Sequence, residues 1–314
     1  MLEVVYFAVG AIVLLVIAVL TFVFRNAKVT DRLQAVDKYV RRQNKSYDQA
    51  RQDRDKLKKK IERQNGGSIL IEVIHDFGDS PQKRDDARAF IAFEEAMEIM
   101  NAVRSINKTG PITIILHTLG GFSLASEFIA SAIKQHAGNT TVYVPYVAMS
   151  GGTMIALAAD KIHLGKNAAL GPVDTQYQGY SFEAFKKVYE AKREKTGDEV
   201  LINYFEFENR EKTVRDRVRA LTDEHHEPAA VDQLLNAKLP HDHRVTFDEA
   251  KKYGLNVSNE CPNEIYEYVE LRLTMIKKFE ERGKSGQLGS DRAQASIESV
   301  LIEEGIQQNR THQL

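Results

Sequence analysis

Cysteine occurs once in this chain, at Cys261, so no intramolecular disulfide can hold the fold. One cysteine fits a reducing compartment. An excess of charge is missing as well. The 43 Lys and Arg side chains against 44 Asp and Glu leave a formal net charge of -1, and no nucleic-acid partner is implied. Lys28–Gln64 has no glycine or proline, so nothing in it breaks a helix. Val4–Phe24 has no charged side chain, and the three residues before it, MLE, have no basic one. The turn Gly171-Pro172-Val173-Asp174-Thr175-Gln176 has no histidine.

What is present starts with a predicted membrane anchor. The 21 residues Val4–Phe24 are apolar except for Thr21. At about 1.5 Å per residue they span roughly 31 Å, close to the thickness of a bilayer's hydrocarbon core. A signal peptide is the alternative, but the n-region is not basic and Phe22-Val23-Phe24 is a poor cleavage site. Arg25–Arg63 carries 14 Lys and Arg against 6 Asp and Glu, which places the following domain in the cytoplasm by the positive-inside rule. Within Lys28–Gln64, Val29, Leu33, Val36, Val40, Gln43, Tyr47, Ala50, Arg54, Leu57 and Ile61 recur at steps of four and three. This heptad seam predicts one continuous helix forming a coiled-coil stalk, with a charged helix lying along lipid headgroups as the other reading.

The stretch with the most chemistry is Val142–Gly152, VYVPYVAMSGG. Val142–Met149 reads as a buried strand, and Thr153–Ala159 as a helix. Ser150 stands between them, followed by Gly151 and Gly152. A serine at such a junction can act as a nucleophile, with free amides near it for an oxyanion. A second unit precedes it: strand Ile112–His117, then Thr118-Leu119-Gly120-Gly121, then the helical pattern Phe122–His136. Two parallel turns at one sheet edge can place the Gly121 and Gly151 amides around one carbonyl oxygen. Further on, Thr246-Phe247-Asp248-Glu249 is a capping box that opens a helix Phe247–Tyr253, with Gly254 past its end.

At HTLGGFSLASEFIASAI and VPYVAMSGGTMIALAADKIHLGKNAALGPVDTQ the chain resembles the serine dehydrogenase proteinase family. These are membrane-linked relatives of signal peptide peptidase A in the ClpP/crotonase superfamily. The resemblance runs from about Ser68 to Asn256 and takes in DHRVTFDEAKKYGL. It departs at Leu119, where the family usually has proline. It implies an α/β fold, a ClpP/crotonase-like ββα superhelix, with a peptidase activity on a polypeptide substrate and assembly into a homo-oligomer. In Clp-type relatives the position matching Asp242 carries the triad aspartate, and the histidine stands on the turn that here reads GPVDTQ. Peptidase A-type enzymes use a lysine instead.

The base for Ser150 is therefore open at this point. Lys186, Lys187, Lys192, Lys195 and Lys212 are candidates. So is His241, which matches a histidine typical of the family, with Asp174 or Asp242 to orient it. His241-Asp242-His243 looks like a metal-ligand cluster, but no second cluster at suitable spacing supports a metal, and no cofactor is expected. The expected layout is an anchor over 1–25, a stalk over 26–66, a catalytic domain over 67–282, and a linker with a terminal helix over 283–314. Two other functions stay open: a non-catalytic membrane-bound scaffold of the same fold, and crotonase-like acyl-CoA chemistry.

Overall fold

Apolar runs without polar alternation suit a parallel sheet covered on both faces. The computed structural model has that arrangement, and it describes residues 34, 36–77, 89–106, 109–177, 180–222, 226–235 and 239–284. Strands β1 (Ile69–Ile74), β2 (Ile112–His117), β3 (Thr140–Val144), β5 (Lys161–Leu164) and β9 (Val257–Ser258) form a five-stranded sheet in the order β1-β2-β3-β5-β9. Every pairing in it is parallel. Strands β4 (Val147–Ala148) and β6 (Ala169–Leu170) pair beside it, and β7 (Gln176–Tyr177) and β8 (Tyr180–Ser181) make a short hairpin. The predicted strand Val142–Met149 is thus two strands. Pro145 lacks the N–H that would continue the ladder, and the chain changes sheets there.

Helices cover both faces. On one, α3 (Phe93–Ser105), α4 (Ser123–Lys134) and α5 (Gly151–Leu157) bury Ile99, Val103, Ile129, Ile133 and Ile155 against Val73, Ile114, Leu116 and Val142. On the other, α2 (Tyr47–Gln64) and α10 (Asn263–Lys284) bury Ile61, Ile265, Tyr268 and Val269 against Leu70, Ile74, Ile115 and Tyr143. The charged region after Tyr177 holds α6 (Phe182–Lys192) and α7 (Asp198–Thr222), separated by a 3-10 turn at Arg193–Lys195. Helix α8 (Pro228–Leu234) begins with proline, whose missing N–H costs nothing there. Helix α9 (Phe247–Tyr253) has its capping box formed and Gly254 in the left-handed conformation.

The continuous stalk helix needs correction. Helix α1, described over 36–43, ends before Ser46, which opens α2 with a capping box to Gln49. The heptad stripe is present over 47–61, but its partner lies in the same chain. Tyr47 and Ala50 pack against Leu271 and Met275. The ion pairs Asp48–Arg282 and Lys60–Glu264 at opposite ends make α2 and α10 antiparallel. Helix α1 folds back along α10, with Lys38 paired to Glu267 and Arg42 to Glu270, while Val36 and Val40 stay exposed. No helix among the described residues is long and apolar enough to cross a membrane. The predicted anchor Val4–Phe24, the start of the heptad seam and the terminal helix Arg292–Gln308 lie outside the described residues.

Candidate active site

The two Gly-Gly turns meet at the carboxyl ends of β2 and β4. Ser150 caps α5 with φ 49° and ψ -114°, a backbone conformation that side-chain-bearing residues rarely adopt. The turn before α4 lies directly against it. A Cβ added to Gly120 would sit 2.9 Å from both the Met149 carbonyl oxygen and the Ser150 Cβ. A Cβ on Gly151 would overlap the Ser126 hydroxyl and lie 3.6 Å from the Gly121 nitrogen. Only glycine fits these approaches. The amides of Gly121 and Gly151 donate to no acceptor among the described residues.

The glycine turn is held from behind. Thr118 Oγ1 accepts the Gly120 N–H at 3.0 Å and lies 2.8 Å from His75 Nδ1. The other ring nitrogen of His75 lies 3.2 Å from Glu95. Ile91 adds a backbone bridge, donating to Gly120 O and accepting from Phe122 N–H. His117 is buried against Phe77 and Tyr146, and its Nδ1 has no partner among the described residues. Burial, helped by the neighbouring His75, pushes its pKa down to about 4.

His241 and Asp174 come together. His241 Nδ1 lies 2.5 Å from Asp174 Oδ1, and Gln176 Nε2 donates to Asp174 Oδ2 at 2.5 Å. The carboxylate side chain is 2% exposed and the imidazole 40%. The bond to Asp174 raises the His241 pKa, partly opposed by burial and further helped by the charges of Asp174 and Asp242. Asp242 is exposed and makes no hydrogen bond among the described residues, so Asp174 and not Asp242 orients the ring. Lys187, Lys192, Lys195 and Lys212 are exposed, and Lys186 is only partly covered. None has the dry surroundings that a neutral amine needs.

Two threads tie the His241 turn to the serine turn. Leu170 and Val245 form an antiparallel bridge. Thr153 Oγ1, on α5, contacts the Ala148 carbonyl at 2.7 Å, the Gly171 carbonyl at 2.9 Å and the Gly171 N–H at 3.0 Å. Ser150 and His241 share no hydrogen bond among the described residues. Sequence reading missed Thr153 and Gln176. Each is a polar side chain two or three residues from a singled-out position, and that nearness was the only signal. The His-Asp-His triplet spreads apart, with His241 on Asp174, His243 facing Glu249 at 3.8 Å and Asp242 in solvent. Among the described residues no cluster of metal ligands forms.

Residues 38–280 match the ClpP-like SDH-type serine proteinases. The chain belongs to that family. The family's members are serine proteinases with a ClpP-like fold. Two similar relatives are uncharacterized proteins of Methanocaldococcus jannaschii. MJ1495 is 37% identical over 217 residues, 68% of this chain and 74% of the relative. MJ0137 is 41% identical over 187 residues, 58% of this chain and 65% of the relative. Among solved structures, ClpP1 from Listeria monocytogenes aligns with 67% of this chain and 99% of its own, at 16% identity and a TM-score of 0.41. A serine-to-alanine mutant of 1510-N, a membrane-bound stomatin-specific protease, aligns with 57% of this chain and 79% of its own, at 20% identity and a TM-score of 0.37.

Proposed function

We propose that this SDH-type proteinase hydrolyses peptide bonds, with Ser150 as nucleophile and His241 as base. The observation that carries the reading is the close approach of two turns whose Gly121 and Gly151 amides have no acceptor among the described residues, beside a serine held at positive φ. Ser150 Oγ attacks the carbonyl carbon and passes its proton to His241 Nε2. The ring can accept there because Nδ1–H donates to Asp174, which fixes the tautomer and stabilises the imidazolium. The Gly121 and Gly151 amides take up the oxyanion. His241 then protonates the leaving amine, and water releases the acyl group by the same route in reverse. Catalytic hydrogen bonds of this kind are often long before substrate binds and tighten on substrate.

A polypeptide substrate is supported by the site's surroundings. Leu119 and Phe122 flank the glycines and are exposed, and Phe93 and Phe128 extend that apolar surface. The run Val4–Phe24 supports a single-pass anchor, the basic residues after it support a cytoplasmic catalytic domain, and the fold supports a homo-oligomer. The scaffold reading draws on the same absent Ser150–His241 bond.

The choice of base is tested by variants and a pH profile. His241→Ala is expected to lose about as much turnover as Ser150→Ala, since the pair acts as a unit. Activity should rise with pH through a midpoint above the ordinary histidine value, because Asp174 holds the ring's proton. An active His241→Ala enzyme beside a dead Lys212→Ala enzyme would hand the role to the lysine.

A further inference from the structure

A buried carboxylate on α7 occupies a place where its pattern calls for an apolar side chain. Tyr204, Phe207, Glu211, Val214, Val218 and Leu221 follow one another at steps of three and four, and all are buried. Glu211, 3% exposed, is the one charged member. Burying a carboxylate is costly unless its oxygens are matched. Here they are. Oε2 accepts the Thr175 backbone N–H at 3.0 Å, and Oε1 pairs with Arg215 at 3.2 Å.

That amide belongs to the turn that carries Asp174. Alternate N–H groups of the turn are fixed by different elements. Gly171 N–H goes to Thr153 on α5 at 3.0 Å, Val173 N–H to the Leu234 carbonyl of α8 at 2.8 Å, and Thr175 N–H to Glu211 on α7 at 3.0 Å. Asp174 lies between the last two anchor points. An apolar residue at 211 would leave the Thr175 N–H, in a residue 8% exposed, without its acceptor. A buried donor left without an acceptor is costly. The turn can recover it by swinging toward water, which draws Asp174 off the imidazole.

We propose that Glu211 is a positioning residue: by accepting the Thr175 amide it fixes the turn on which Asp174 meets His241 Nδ1. Its effect on catalysis rests on the reading of Ser150 and His241 given above, but its effect on the His241–Asp174 pair does not. The charged groups facing His241 are Asp174 and Asp242, and the cation facing Glu211 is Arg215.

The test uses the full chain, with Glu211→Met to keep volume and remove the acceptor, and Glu211→Gln to keep an acceptor without the charge. His241 is followed by NMR titration of its imidazole, assigned with a His241→Gln control, alongside the rate of Ser150 labelling by a fluorophosphonate. Glu211→Met is expected to move the His241 midpoint down toward the ordinary histidine value. It should slow labelling by about 10- to 100-fold, the size known for removing the residues that orient metal ligands. Glu211→Gln should restore both to near wild type. A Met variant that titrates and labels like wild type would overturn the proposal, and so would a Gln variant that falls as far as the Met variant. If the wild-type chain itself takes no label, the nucleophile reading fails, while the His241 titration still decides the role of Glu211.

Discussion

At the scale of single residues, Ser150 carries the backbone strain and, in the proposed function, the chemistry as well. Its φ of 49° and ψ of -114° suit glycine far better than serine. Backbone strain of this kind costs about 1–3 kcal/mol. Ser150→Gly is therefore expected to raise the thermal midpoint by a few degrees while abolishing hydrolysis, and calorimetry on the folded chain checks it. A lowered midpoint would mean that the serine side chain stabilises its own strained turn. Asp174→Asn should leave the fold intact but present the wrong tautomer, with turnover falling by about 10⁴. Asp242→Asn should change little, because that side chain is in solvent. Turnover measurements on the two variants side by side would sink the assignment if their effects were reversed. The two Gly-Gly turns, each between a strand and a helix, were legible in the sequence, because that local geometry follows from the neighbouring residues. The choice between Asp174 and Asp242 was not. It depends on how two turns 67 residues apart pack against each other, and no local pattern records that.

At the scale of elements, the α2–α10 pair shows what a heptad pattern can and cannot say. The stripe through Tyr47, Ala50, Arg54 and Ile61 correctly marks the buried face of α2. It does not name the partner, and an antiparallel helix of the same chain serves as well as a second copy would. The break before Ser46 was legible in principle, since Ser46 and Gln49 spell a capping box. Arg54, a weak point in the expected seam, belongs to a polar network between α2, β1 and α10. Glu72 pairs with Arg272 at 2.7 Å and accepts from the Tyr268 hydroxyl at 2.6 Å, with the Arg54 charge close by. Burial alone would push the Glu72 carboxyl up. Arg272 and Arg54 outweigh it and hold the pKa at about 2. A depressed carboxylate pKa gives stability that is complete above the unfolded value near 4.5 and is lost as pH falls toward 2. Denaturant titrations across that window should show stability falling with acid in the wild type and a flatter dependence in Glu72→Gln. Equal slopes would show that the network is not linked to protons.

At the scale of the whole molecule, the parallel sheet brings the glycine turn after β2 and the serine turn after β4 to one edge. The bridge between Leu170 and Val245 then brings in the His241 turn from late in the chain. Apolar strand runs and βα order made the sheet legible, since a buried parallel strand reads as an unbroken hydrophobic run. The division of the region after Tyr177 into a hairpin and two helices was only partly legible: Gly197 marks the turn between the helices, while the pairing of Gln176–Tyr177 with Tyr180–Ser181 has no strong local signal. The central claim is that Ser150 is a reactive nucleophile in this fold. The measurement closest to it is fluorophosphonate labelling of the full-length chain, read by intact mass and by mapping the modified peptide. The wild type is expected to take one label, on Ser150, and a folded Ser150→Ala chain none. A wild-type chain that stays unlabelled, or a Ser150→Ala chain that labels equally well, would contradict it.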